Sequence, residues 1–122
     1  MGNFPVTIYH NPACGTSRNT LALIRDAGHE PTVVEYLKVG WTRSGLKAIL
    51  KQMNARPRDI LRVRGTPAAE LGLTDPVADD EAILTAMLAQ PILVERPIVT
   101  TPNGAVLARP AERVIALLAA AR

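Results

Sequence analysis

Within residues 6–37 this 122-residue chain reads strand, helix, strand, and that order limits its fold more than any other feature. Val6-Thr7-Ile8-Tyr9 is a β-branched and aromatic run that reads as a first strand. Residues 10–15 read as a loop and 16–27 as a helix, with Thr16 or Ser17 as its cap and Gly28 at its end. Leu21, Leu23, Ile24 and Ala27 cover more than one narrow stripe, so this helix is expected to be well buried. Thr32 to Leu37 reads as a second strand. Two strands joined by one helical crossover lie parallel, and the connection is right-handed.

The remainder continues the α/β pattern. Thr42 or Ser44 starts a helix carrying Leu46, Ile49, Leu50 and Met53, and Pro57 opens a short helical turn through Arg62. Gly65-Thr66-Pro67 breaks that turn. Asp79-Asp80 caps another helix with Ile83, Leu84, Met87 and Leu88 on one stripe, and Gln90-Pro91 stops it. Ile92-Leu93-Val94 and Pro97 to Thr101 read as extended. Pro102-Asn103-Gly104 is a turn, and residues 105–108 return as the second arm of a hairpin. Pro110 suits the first position of a last helix, Ala111 to Arg122, with Val114, Leu117 and Leu118 inward. The order is βαβ, then helices, then ββα, in one domain over residues 1–122.

Bulk composition excludes several classes. Apolar residues make up 48% of the chain, but only Phe4, Tyr9, Tyr36 and Trp41 are aromatic, so the core is aliphatic. No apolar run approaches the ~18 residues of a membrane span, and the N-terminus lacks a signal-peptide layout. One cysteine allows no internal disulfide. A cytoplasmic location is the default expectation. Net charge is +3, carried by eleven arginines and three lysines scattered along the chain. Basic clusters with interleaved aromatics, the mark of nucleic-acid binding, are missing from the sequence. Arginine excess suits a small oxyanion better, because the guanidinium fork matches its oxygens.

The single thiol, Cys14, falls where the first strand gives way to the helix. Free N–H groups and the helix dipole there stabilise a thiolate, which takes a cysteine pKa from about 8.5 to about 3.5–7.5. His10 adds charge to this site if protonated, and Ser17 and Arg18 offer hydrogen bonds. The same N–H groups hold an oxyanion. A lone cysteine is in general a small buried apolar group. A junction bounded by His, Asn, Gly, Thr and Ser is a poor place for such a filler. Two familiar thiol motifs are excluded. The phosphatase loop needs arginine six positions after the cysteine, where Thr20 stands, and Cys-x-x-Cys chemistry fails because Ser17 holds the second position. A thiol that reduces Cys14 therefore comes from another molecule.

The segment YHNPACGTSRNTL (residues 9–21) resembles the active-site segment of the glutaredoxin- and glutathione-coupled arsenate reductases, an ArsC-like branch of the thioredoxin fold. EPTVVEYL, DILRVRGTPAAELGL and QPILVERPIVTTPNGAVLARP resemble the family's second strand, mid-chain helix and last hairpin, in order and spacing. The likeness implies a thioredoxin-like α/β fold, βαβ…ββα with a helical insertion between the halves. It implies Cys14 as the nucleophile toward arsenate, and Arg62, Arg96 and Arg109 as the oxyanion-binding arginines. Arg64 stands as a neighbouring rival of Arg62. His10 then corresponds to a histidine that depresses the cysteine pKa, Ser17 to a hydrogen-bonding serine, and Arg96-Pro97 to a cis peptide bond. In the implied cycle Cys14 bonds arsenic, glutathione adds as co-substrate, and glutaredoxin removes it as a mixed disulfide, yielding arsenite. No metal or other bound cofactor, no nucleic acid and no membrane takes part. Taken singly, each arginine is more often a solvated surface charge; their joint spacing to Cys14 carries the reading. Two other readings stay open: a thiol-dependent transferase or reductase of another small anion, and a non-enzymatic regulator of the Spx type. Spx-type proteins commonly use a two-cysteine switch, which Ser17 precludes here.

Overall fold

A computed structural model describes residues 4–119. The chain divides into two compact units: residues up to Tyr36 together with those from Arg96 onward, and Leu37–Glu95.

The first unit is built on a four-stranded sheet in the order β2-β1-β3-β4. Strands β1 (Thr7–Tyr9) and β2 (Thr32–Val34) pair in parallel, as the crossover through helix α1 (Gly15–Asp26) requires. Strand β3 (Ile98–Thr101) pairs antiparallel with β1 and with β4 (Gly104–Leu107). The register aligns Val33, Ile8, Val99 and Val106 across one face. Side chains alternate along a strand, so this row presents a single apolar surface. Ile8 and Val99 are fully buried there with Ile24 of α1 and Val114 and Leu118 of helix α5 (Val114–Leu118). Burying each such side chain stabilises the fold by ~1.5–3 kcal/mol.

The second strand is shorter than expected. It ends at Val34, and Tyr36–Val39 forms a single helical turn, α2, with Tyr36 fully buried. The β-branched run stops at Val34, and Glu35 has little preference for the pleat. The last helix also departs from expectation. Pro110 is extended (φ −70°, ψ 165°) and caps a 3-10 turn, Ala111–Arg113, before α5 begins. The expected helical residues 120–122 lie outside the described residues.

The Leu37–Glu95 unit is the helical insertion. Thr42 caps helix α3 (Arg43–Met53), its hydroxyl accepting the Gly45 N–H at 3.1 Å. Gly45 must lack a Cβ, since one would sit 2.7 Å from Thr42 Oγ1. Pro57–Ile60 is a 3-10 turn, and helix α4 (Asp80–Ala89) is capped by Asp79, which accepts the Ala82 N–H at 2.9 Å. Residues 91–93 form a 3-10 turn where an extended run was expected, because Pro91 sets a helical φ at its start. The unit's core joins Leu46, Ile49, Leu50, Ile60, Ile83, Leu84 and Met87. An antiparallel bridge, Leu61 to Val94, ties residues 60–62 to 93–95. Among the described residues no helix is long and apolar enough to cross a membrane.

Candidate active site

The site grows from the end of β1. His10 continues the parallel ladder by one bond, its N–H donating to the Val34 carbonyl at 2.8 Å. The chain then turns sharply. Asn11 accepts the Cys14 N–H on its carbonyl at 2.9 Å and the Ala13 N–H on its side-chain Oδ1 at 3.0 Å. Helix α1 starts immediately after, so Cys14 itself is the N-cap (φ −97°, ψ 121°), without a side-chain cap bond. Thr16 and Ser17, the caps expected from sequence, are inside the first turn. The helix starts one residue earlier than its polar residues suggest because the turn at Asn11 already fixes Cys14.

Ser17 is fully buried. Its Oγ accepts the Asn11 N–H at 3.0 Å and shares a 2.6 Å hydrogen bond with His10 Nδ1. Burial lowers the His10 pKa, Glu35 raises it, and Arg25 and Arg18 lower it; the net direction is down, so the ring is neutral near pH 7. From sequence, His10 adds charge beside the thiol only if protonated. The structure instead connects His10 to the site through the Ser17 hydroxyl. Arg18 also differs: its Nη1 donates to the Pro12 carbonyl at 2.9 Å, bracing the loop.

The guanidiniums reach Cys14 from the hairpin. Ile98 pairs with Leu107, so Arg96 and Arg109, two residues beyond on each arm, stand side by side at its open end. Arg109 Nη1 donates to the Arg96 carbonyl at 3.0 Å and lies 3.9 Å from Cys14 Sγ. Both arginines precede cis prolines, Arg96-Pro97 and Arg109-Pro110; the second was not anticipated. Burial pushes the Cys14 thiol up. Hydrogen bonds from the Ser17 main-chain N–H and from the Arg96 and Arg109 guanidiniums, with the charge of Arg96, outweigh it and bring the pKa below the ordinary value.

Arg62 belongs to the Leu37–Glu95 unit. There it forms a 2.6 Å ion pair with Glu95, the side chains 12% and 21% exposed. Arg64, its rival, is exposed. Sequence reasoning missed Asn11 and Glu95. An Asn directly before Pro is a turn signal that could have marked the first; nothing local marks the second, whose partner is 33 residues away. Among the described residues, no three His, Cys, Asp or Glu side chains gather as a metal site.

The ArsC family pattern matches residues 9–117. The chain belongs to the ArsC family. The arsenate reductase of Rhizobium meliloti (strain 1021) is 58% identical over 113 residues, 93% of this chain and 81% of that protein. That of Escherichia coli (strain K12) is 48% identical over 113 residues, covering 93% and 80%. Among solved ArsC structures, the arsenate reductase from Vibrio cholerae superposes with a TM-score of 0.88 at 37% identity, covering 94% of this chain and 98% of that one. The thioredoxin-like α/β architecture is thus that of ArsC proteins.

Proposed function

We propose that this chain reduces arsenate to arsenite through a covalent bond between Cys14 Sγ and arsenic, with glutathione and glutaredoxin as outside thiols. One observation carries the reading. Arg109 Nη1 lies 3.9 Å from Cys14 Sγ while the Arg96 carbonyl orients the same guanidinium. A thiolate kept ionised at a helix start, beside two guanidiniums, suits attack on a tetrahedral oxyanion. Arsenate is anionic near neutrality and repels a second anion; Arg96 and Arg109 offset that repulsion and fix its oxygens. In this reading Arg62 is the third oxyanion-binding arginine, and residues 1–122 work as one domain.

Cys14 Sγ attacks arsenic, and one As–O bond breaks, the oxygen leaving as water after protonation; arsenic stays As(V). The glutathione thiol displaces a second oxygen as water. A glutaredoxin thiolate then attacks the glutathione sulfur. The S–As bond breaks with its electron pair on arsenic, giving As(III) on Cys14, and the two outside sulfurs leave as a mixed disulfide. Water releases arsenite and restores the thiol. Ser17 donates its main-chain N–H to the thiolate, and His10 holds the Ser17 side chain.

Arsenite formation with glutathione and glutaredoxin tests the reading. The wild-type chain turns over, Cys14→Ser yields only background, and omitting glutaredoxin slows turnover sharply. Arsenite from Cys14→Ser at the wild-type rate would sink the covalent step.

A further inference from the structure

The loop before α1 holds a buried side chain that the reaction scheme leaves unused. Asn11 is 7% exposed and makes three hydrogen bonds within seven residues. Its Oδ1 accepts the Ala13 N–H, its carbonyl accepts the Cys14 N–H, and its own N–H donates to Ser17 Oγ. The consequence for the thiol follows from donor geometry. The first N–H groups of a helix lack intrahelical acceptors and point out of its start. The Cys14 N–H is already engaged by Asn11, so the groups left for the sulfur and for a bound oxyanion are those of Gly15, Thr16 and Ser17. The charged groups facing the sulfur are Arg96 and Arg109 from the hairpin; His10 stands behind Ser17 and Arg18 braces Pro12.

We propose that Asn11 is the positioning residue of this site: its side-chain turn onto the Ala13 N–H holds Cys14 at the N-cap, where the sulfur meets the Ser17 N–H and the Arg109 guanidinium. Asn11 touches no reacting atom and acts through the loop. The main-chain bonds at Asn11 survive any substitution chemically, but only the Oδ1 bond closes the turn from residue 11 to residue 13. The inference rests on Cys14 being the reacting thiol. Its readout needs no arsenate, so a chain that failed to reduce arsenate would still decide it.

The experiment titrates Cys14 in the full chain by thiolate ultraviolet absorbance and by the pH dependence of iodoacetamide alkylation. Asn11→Ala removes the acceptor. Its Cys14 pKa rises by about one unit, and alkylation below that pKa slows roughly tenfold. Asn11→Ser retains a weaker acceptor for the same N–H and titrates within about half a unit of wild type. Asn103→Ala removes the Asn103 Nδ2 bonds to the Leu117 and Ala119 carbonyls, far along the chain from Cys14, and controls for lost stability; it titrates as wild type. Wild-type titration in Asn11→Ala overturns the proposal, as does a shift in Asn11→Ser or Asn103→Ala as large as in Asn11→Ala. If Asn11→Ala does not fold, Asn11→Gly, which also lacks the acceptor, decides beside Asn11→Ser: a rise of about one unit in Asn11→Gly alone supports the proposal, and wild-type titration in Asn11→Gly, or an equal rise in Asn11→Ser, overturns it.

Discussion

Arg109 of the sheet unit and the ion-paired arginines of Leu37–Glu95 are held in different ways, although each unit also contains the other kind: Arg25 pairs with Glu30 in the first, and Arg58 donates to the Pro76 and Ala78 carbonyls in the second. In Leu37–Glu95, Arg43 pairs with Glu81 at 2.9 Å, Arg56 with Asp80 at 3.1 Å and Arg62 with Glu95 at 2.6 Å. In the sheet unit, Arg109 is oriented by a main-chain carbonyl and directed at a sulfur. A carbonyl accepts a hydrogen bond without cancelling the guanidinium charge, whereas a carboxylate cancels it. The carboxylate-paired arginines therefore hold elements together, whereas Arg109 keeps its charge and directs it at the Cys14 sulfur. Arg62 is paired as a structural arginine is, although its position in the sequence is one where the family likeness implies an oxyanion ligand.

Four measurements probe this contrast, in order of expected effect. Arg109→Ala removes a guanidinium beside Cys14 and should lower kcat for arsenate about 10²-fold, read by arsenite formation with thermal stability monitored in parallel. A loss under threefold would place Arg109 among the structural arginines. Glu95→Ala leaves the largely buried Arg62 charge unpaired, and chemical denaturation should show a loss of about 1–3 kcal/mol. Unchanged stability would mean the pair contributes no net energy. The third is a pH effect. Cys14 has a folded pKa below its unfolded value of about 8.5. Its ionisation thus stabilises the fold fully above about pH 8.5, and the contribution is lost as pH falls through the folded pKa. Wild type should gain stability relative to Cys14→Ser as pH rises through the folded pKa toward the unfolded one of about 8.5; parallel curves would contradict the depressed thiol. Last, Arg43→Ala breaks an exposed pair and should cost at most about 1 kcal/mol, with arsenite formation unchanged. A tenfold activity loss there would erase the distinction between carboxylate-paired arginines and Arg109.

Much of this was legible in the sequence. The strand–helix–strand order forecast the parallel β1–β2 pair, and Pro102-Asn103-Gly104 forecast the hairpin, because turn chemistry and side-chain period are local. The capping of α3 and α4 by Thr42 and Asp79 was local too. The end of β2 and the 3-10 turn at Pro91 were misjudged where a short apolar run fits either geometry, and the surroundings chose. Cys14 at the helix start was readable; its partners were less so. Its meeting with Arg109, 95 residues away, depends on sheet pairing that no window of sequence displays. Whether His10 carries charge was left open by the sequence; burial lowers its pKa, and burial is a property of the folded chain.

The hairpin tip therefore constrains a place it never touches. Only residues 102–103 separate β3 from β4, and Thr101 pairs with Gly104. Adding one residue there would slide one arm past the other and turn alternate side chains to the opposite surface, parting Arg96 from Arg109. Surface turns are usually where a lineage can gain or lose residues freely; in this chain, length variation at that turn would be felt as if a guanidinium had been deleted.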